Sequence, residues 1–363
     1  MNICQVNSTS NLKVFFNITK AVYAGNPFYR ATDDSIVKLI VKGPTVFHTH
    51  ATVKPFLIMQ DNKPAGRFAL IHDRKQPDYL QVAFFEAMPG LVGVAGYIME
   101  QAMRFEPHCR QIIFGLNGHL NYSAGMLMNH YELPPVFGLP CTPPYYIDYF
   151  RDFSCRPIVS YRFSTQSFYD FYDKMGENPD LGGITVRPIN KSRLKQEVGI
   201  YNYLNNECFK QHPFWAERTA EEDYELFHPF RWLLRKEFFL FAEFKGKPIG
   251  FALWYPDFNE LVKNHQQLGL IHLAKYHLHN PIRTFRFTQI AVLPEFSNTK
   301  ATLALIRSMI PPIRKAGYLY GEGGFIFEDN TKCVSMTHRF LQRATGKSFE
   351  PFRRFALFEG SLT

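Results

Sequence analysis

Near the C-terminal end, two carboxylates stand six positions apart in a run otherwise made of glycine and apolar residues, Glu322-Gly323-Gly324-Phe325-Ile326-Phe327-Glu328. Side chains of an extended strand alternate between faces, so this even spacing sets Glu322 and Glu328 on one side. Carboxylates so placed can take a proton, or serve as caps and ion-pair partners. Beyond them, Cys333 and His338 fall on a predicted helix over residues 333–343 and are its only side chains suited to giving up a proton near neutrality. Cys333 has no fixed histidine partner in view and is a poor candidate nucleophile. Upstream, Ser297-Asn298-Thr299-Lys300-Ala301-Thr302 opens another predicted helix with small polar residues suited to capping. His48-Thr49-His50 and His277-Leu278-His279 could each put two imidazoles on one face of a strand, but no nearby Cys or carboxylate completes a metal set, so no metal is expected.

The elements that must position these residues occur twice. Residues 55–73 (PFLIMQDNKPAGRFALIHD) and 238–257 (FFLFAEFKGKPIGFALWYPD) are each an apolar run, a polar turn, Lys-Pro-x-Gly and a second apolar run. Lys63 and Lys247 are 184 positions apart (247 − 63), about half of the 363 residues, which points to a doubled domain rather than a solenoid. Each copy reads as a β-hairpin. Strands over 80–90 and 285–294 follow, then helices over 94–105 and 301–317, then strands over 111–116 and 319–328. A segment over 261–283, alternating apolar residues with Lys and His, interrupts the second copy. It reads as a solvated helix over the sheet, with a cleft cover or membrane contact as alternatives. The predicted class is α/β: two domains of one fold, 1–160 and 161–363, each with a mixed sheet and a crossover helix.

Composition bounds the rest. With 36 Phe and 19 Tyr the chain has apolar area for a substantial core. No stretch has the length of a membrane span and the N-terminus has no signal-like apolar region, so a cytoplasmic protein without stable membrane insertion is expected. Six scattered cysteines fit reduced thiols. The formal charge of +9 suits an anionic ligand such as a nucleotide-containing cofactor; a nucleic acid would fit as well, but no binding motif accompanies it.

Hairpin, strand, loop, helix, strand, with Asn330 after the last strand, resembles the GNAT N-acetyltransferase fold. More narrowly, the chain resembles a bacterial family of tandem GNAT-like proteins. Asn26-Pro27-Phe28-Tyr29-Arg30, Gly115-Leu116-Asn117-Gly118, Ser123-Ala124-Gly125, Pro134-Pro135 and Pro140-Cys141-Thr142-Pro143-Pro144-Tyr145-Tyr146 carry this in the first half. Val292-Leu293-Pro294-Glu295-Phe296 and Phe327-Glu328-Asp329-Asn330 carry it in the second.

The resemblance implies acetyl-CoA or another acyl-CoA as co-substrate. Its pantetheine arm would lie along Ile290, Ala291 and Val292 like an added strand, with Asn330 in contact. Its pyrophosphate would meet Ser297, Asn298, Thr299, Lys300, Ala301 and Thr302 at the helix start. The family pattern there is Arg or Gln, two residues, Gly, one residue, Gly or Ala; this chain has Ser297 first and no glycine. Lys300 could neutralise a phosphate or be a solvated first-turn lysine. In the first half, Gly90-Leu91-Val92-Gly93-Val94-Ala95 has Gly and Ala at the pattern's places, either for phosphate approach or for backbone geometry alone. Glu322 and Glu328 would be the catalytic carboxylates. The helix that usually supplies a tyrosine acid has none. Tyr145 and Tyr146 read either as a tether between domains or as a substrate-stacking pair.

Three functions follow. The first is an acyl-CoA-dependent N-acyltransferase acting on a small-molecule or peptide amine, with the C-terminal domain holding the donor and the N-terminal domain forming part of the acceptor cleft. The second is a doubled transferase using another donor such as aminoacyl-tRNA, which would be the one route to a nucleic-acid partner. The third is a non-catalytic ligand-binding relative.

Overall fold

The computed structural model describes residues 1–31, 34–176, 179–263 and 265–362. In chain order its strands are β1 (Asn2–Gln5), β2 (Ala51–Gln60), β3 (Lys63–Asp73), β4 (Tyr79–Ala87), β5 (Gln111–Phe114), β6 (Met126–Leu127), β7 (Ser154–Ser164), β8 (Ile184–Pro188), β9 (Phe239–Phe244), β10 (Lys247–Pro256), β11 (Thr284–Val292), β12 (Tyr320–Phe327) and β13 (Arg354–Ser361). The chain divides into two compact units. One comprises Met1–Ile158, Val262–Gln267 and Arg353–Thr363; the other comprises Val159–Leu261 and Leu268–Phe352.

In the first unit the strand order is β1-β2-β3-β4-β5-β13, antiparallel except for β4 beside β5. The final strand therefore closes the first unit, with Phe358 opposite Phe114. Helices Thr9–Val22 and Asp34–Lys42 bury Phe15, Val37 and Ile40 against Leu57, Ala69 and Ile71 on one face. Helix Val94–Phe105 buries Val94, Ile98 and Ala102 against Phe68, Leu80 and Phe114 on the other. The alternate apolar residues of β3 thus serve two cores, which is why the strand reads apolar throughout.

The second unit repeats the plan. β8, β9, β10 and β11 pair antiparallel, and β12 lies parallel to β11. Helix Ala301–Ala316 crosses over between β11 and β12, and helix Leu194–Phe209 packs Tyr201 and Leu204 against Phe239, Phe241 and Phe251. The strand ends fall short of the sequence reading: β4 stops at Ala87 and β11 at Val292, before the prolines that cannot donate to a ladder.

The repeated Lys-Pro-x-Gly phrase has one structural cause in both units. Asp61 and Asn62 have φ of 49° and 60°, and Lys245 and Gly246 have 49° and 74°, so each hairpin turns on two left-handed residues, the geometry that suits the strand twist. After each turn the register slips by one residue, leaving Ala65 and Ile249 as bulges. Their carbonyls accept Met88 N–H at 2.7 Å and Leu293 N–H at 2.8 Å. A Cβ on Gly66 would meet Glu86 O at 2.7 Å, and one on Gly250 would meet Ala291 O at 2.6 Å. The phrase therefore ties the hairpin to the end of the third strand, just before the loop that starts the crossover helix.

Candidate functional site

In the second unit β11 and β12 begin as a regular parallel pair, from Thr284 opposite Tyr320 to Phe287 opposite Gly323, and there the pairing stops. Two irregularities part them. Thr288 is an extra residue in β11, where Leu253 faces Gln289 and Trp254 faces Phe287. In β12, Gly324 and Phe325 have φ of 130° and 80°. A Cβ on Gly324 would lie 2.8 Å from Val159 O and Ser160 Cα, so glycine lets β12 press against β7 at this point. Past the divergence every residue of β11 to Val292 is only half-buried. Ile290, Ala291 and Val292 pair with β10 through one edge, and Thr288 Oγ1 is buried with no hydrogen-bond partner.

The loop after β11 makes a short 3-10 turn, Pro294–Phe296, and leaves Ser297, Asn298, Thr299 and Lys300 exposed at the start of helix Ala301–Ala316. Thr299 donates N–H and Oγ1 to Phe296 O at 3.0 and 2.6 Å, and its Oγ1 accepts Ala301 N–H at 3.3 Å. Lys300 is the N-cap residue with φ −83°, a conformation that does not require glycine, and its side chain makes no cap. Its ammonium donates to Asp180 Oδ2 at 2.7 Å and Asp180 O at 2.8 Å, which holds the Asp180 carboxyl below its ordinary range. The lysine is thus bound to a carboxylate, and the anion-binding capacity of this terminus rests on backbone N–H groups such as that of Thr302. Ala301 is fully buried and Thr302 half-buried.

The two glutamates are not related by a simple pleat. Glu322, 1% exposed, accepts Ser160 Oγ–H at 2.8 Å and stands in register beside Arg286, whose Nη1 donates to Tyr255 OH at 3.3 Å. Glu328 lies past the strand end, and the positive φ angles at Gly324 and Phe325 break the alternation between them. Asn330 caps helix Thr331–Thr345, its Oδ1 accepting Cys333 N–H at 3.1 Å. Burial pushes the Cys333 thiol up, against a thiolate role. His338 Nε2 sits 2.9 Å from Tyr161 OH, so a tyrosine reaches this helix from β7 rather than from the helix itself. Beside the divergence, Tyr201 OH donates to Gln289 Oε1 at 2.8 Å and Asn205 Nδ2 donates to Tyr201 OH at 3.1 Å. Asn205 Oδ1 is buried without a partner. This chain was not legible in the sequence; the only signal was the i, i+4 spacing of Tyr201 and Asn205.

The first unit has the same pair of strands, but its groove is filled. The parallel pairing ends at Val82 and Phe114, and Phe84 (φ 54°) bulges. There Asn117 Oδ1 accepts Phe84 N–H at 2.7 Å, and Gln81 exchanges hydrogen bonds of 2.8 and 3.3 Å with Gly118. Beyond the bulge three tyrosines take the strand-end backbone. Tyr146 OH accepts Ala87 N–H at 2.8 Å, Tyr145 OH donates to Ala87 O at 2.9 Å, and Tyr149 OH donates to Met88 O at 2.5 Å while accepting Leu91 N–H at 3.2 Å. The Pro-Pro-Tyr-Tyr segment therefore binds and plugs the first unit's own strand end. Gly93, with φ 74° and open space around it, meets a backbone need. Glu86, missed in the sequence, accepts Tyr146 OH at 2.8 Å and lies 3.9 Å from Arg67; burial outweighs both and raises its pKa to about 7.

The histidine pairs do not lie on strands. His48 is in the 3-10 turn Val46–Thr49 and His277 in helix Leu270–Leu278. Among the described residues no three His, Cys, Asp or Glu side chains come together as a metal set.

No family model matches the sequence. Protein YghO of Escherichia coli (strain K12) is 21% identical over 269 residues, 69% of this chain and 65% of that protein, so the match spans less than two-thirds of that relative. A tandem GNAT protein from the clavulanic acid biosynthesis pathway superposes over 100% of this chain and 98% of its own, with a TM-score of 0.57 and 11% identity. A GCN5-related N-acetyltransferase from Anabaena variabilis superposes over 100% of this chain and 73% of its own, with a TM-score of 0.50 and 10% identity. At such identities the likeness is one of fold, and the chain has a tandem GNAT-like fold.

Proposed function

We propose that the protein is an acyl-CoA-dependent N-acyltransferase whose donor site is the parted β11–β12 groove of the second unit. The observation that carries this reading is the contrast between equivalent grooves. The first is closed by Asn117, Tyr145, Tyr146 and Tyr149, whereas β11 stays half-exposed with Thr288 Oγ1 unpartnered. An acyl-CoA supplies the activated thioester. Ile290, Ala291 and Val292 offer it a strand edge, and the helix start formed by Ser297, Asn298, Thr299, Ala301 and Thr302 offers its pyrophosphate an anion site through first-turn N–H groups such as that of Thr302. Lys300 orders that turn through Asp180.

Glu322, just before the strands part, is the carboxylate assigned to accepting the amine proton, with Ser160 Oγ as its fixed neighbour. Glu328 stands at the strand's far end as the alternative base, and Asn330 holds the helix that carries His338. Tyr161 and His338 form the pair assigned to returning a proton to the departing thiolate. Asn205 and Gln289 would then face a polar, amine-bearing small molecule or peptide. The absent glycines and leading arginine favour two rivals: a doubled transferase using another donor such as aminoacyl-tRNA, and a relative that binds a ligand here without turnover.

Thermal unfolding with and without acetyl-CoA tests the donor assignment. A ligand held only by the folded state adds about 2.7 kcal/mol at a hundredfold excess over Kd, or roughly 5–10 °C for a unit of this size. Thr299→Trp, filling the space before the helix start, should abolish the shift, while Gly93→Trp, with circular dichroism to verify folding, should leave it. The reverse pattern would move the donor to the first unit, and no shift at millimolar acetyl-CoA would remove the proposal.

A further inference from the structure

Helix Leu270–Leu278 departs from the solvated helix its sequence suggests. Tyr276 is buried against Phe258, while Leu270, Ile271 and Leu278 are 84%, 83% and 88% exposed. Three aliphatic side chains left almost wholly in water on nine residues call for an explanation, since single exposed residues are ordinary but a clustered set is not. A second exposed apolar group lies in the same region of the second unit. Arg235 stacks its guanidinium 4.5 Å from the Tyr276 ring centre, and three residues before it Trp232 is 64% exposed, with Arg231 over its ring at 4.8 Å.

The charge around these groups is mainly positive. Residues 228–237 and 268–283 together contain five Lys and Arg against one acid, Glu237, and the Glu260 carboxylate accepts Arg283 N–H at 2.7 Å. Beside Arg235 the surface dips into an open depression lined also by Lys191, Ser192 and Lys236. We propose that this face of the second unit docks on an anionic phospholipid surface, the aliphatics of helix Leu270–Leu278 and Trp232 entering the headgroup boundary and the basic side chains meeting lipid phosphates. Leucine, isoleucine and tryptophan beside an excess of lysine and arginine form the pattern of an interfacial helix rather than a spanning one. A second copy of the chain fits less well, because a face with a net positive excess repels itself.

Co-sedimentation with phosphatidylcholine vesicles, with and without phosphatidylglycerol, tests this at low and high salt. The protein should partition onto the anionic vesicles, remain in solution with phosphatidylcholine alone, and be released by salt. The triple variant Leu270→Ser, Ile271→Ser, Leu278→Ser should weaken partitioning at least about tenfold, and Lys236→Glu with Lys275→Glu should do the same while leaving the apolar groups in place. These side chains are exposed, and circular dichroism verifies that each variant is folded. Absence of wild-type protein from anionic vesicles, or equal binding by the triple variant, would overturn the proposal. So would self-association, or RNA binding, that these variants abolish while vesicle binding is absent.

Discussion

Replacing Glu86 with glutamine should make the protein relatively more stable as pH rises. The carboxyl sits among Tyr146, Tyr23 and Arg67, and burial lifts its pKa from 4.5 to about 7. A raised carboxyl pKa means that the folded state holds a proton the unfolded state has released. The group's stabilising contribution is full below about pH 4.5 and is lost as pH climbs through about 7. At about 1.4 kcal/mol per pH unit, the interval corresponds to about 3 kcal/mol, most of which falls between pH 5 and pH 8. Glutamine keeps an oxygen for the Tyr146 hydroxyl but does not titrate. The stability of Glu86→Gln minus that of the parent should therefore rise by about 2 to 3 kcal/mol from pH 5 to pH 8, roughly 5–10 °C in Tm. Paired urea or thermal unfolding at several pH values measures this. A difference independent of pH would mean that Arg67 and the tyrosines keep the carboxyl ionised, and the burial argument would fail.

Gly250→Ala should destabilise the second unit by about 1–3 kcal/mol, because its Cβ would overlap Ala291 O at 2.6 Å and Val292 Cα at 3.1 Å, both backbone atoms. Gly199→Ala, inside helix Leu194–Phe209 with nothing within 4 Å, should instead stabilise by roughly 1 kcal/mol; chemical denaturation distinguishes the two signs. If Tyr161 and His338 return the proton to the thiolate, His338→Gln should lower kcat about a hundredfold with little change in KM, read as thiol release from acetyl-CoA in the presence of amine acceptors. An unchanged kcat would make the pair structural.

The sequence by itself determined the duplication, the hairpins and the order of elements in each half. These depend on local causes: apolar periodicity, turn residues able to adopt positive φ, and prolines at strand ends. It also located the helix start at residues 297–302. Tertiary structure alone decided which groove is open. The tyrosines that close the first groove stand about sixty positions from the backbone groups they bind, and Asn117 is thirty-three from Phe84. Lys300 is committed to Asp180 across 120 positions, Tyr161 meets His338 across 177, and the last strand pairs with β5 in the first unit. Alternation sets Glu322 and Glu328 on one face only while the strand is regular, and contact with β7 at Gly324 ends that regularity. Side chains far apart in sequence compete for a strand edge only after the sheet has formed, so no periodicity within an element records the outcome.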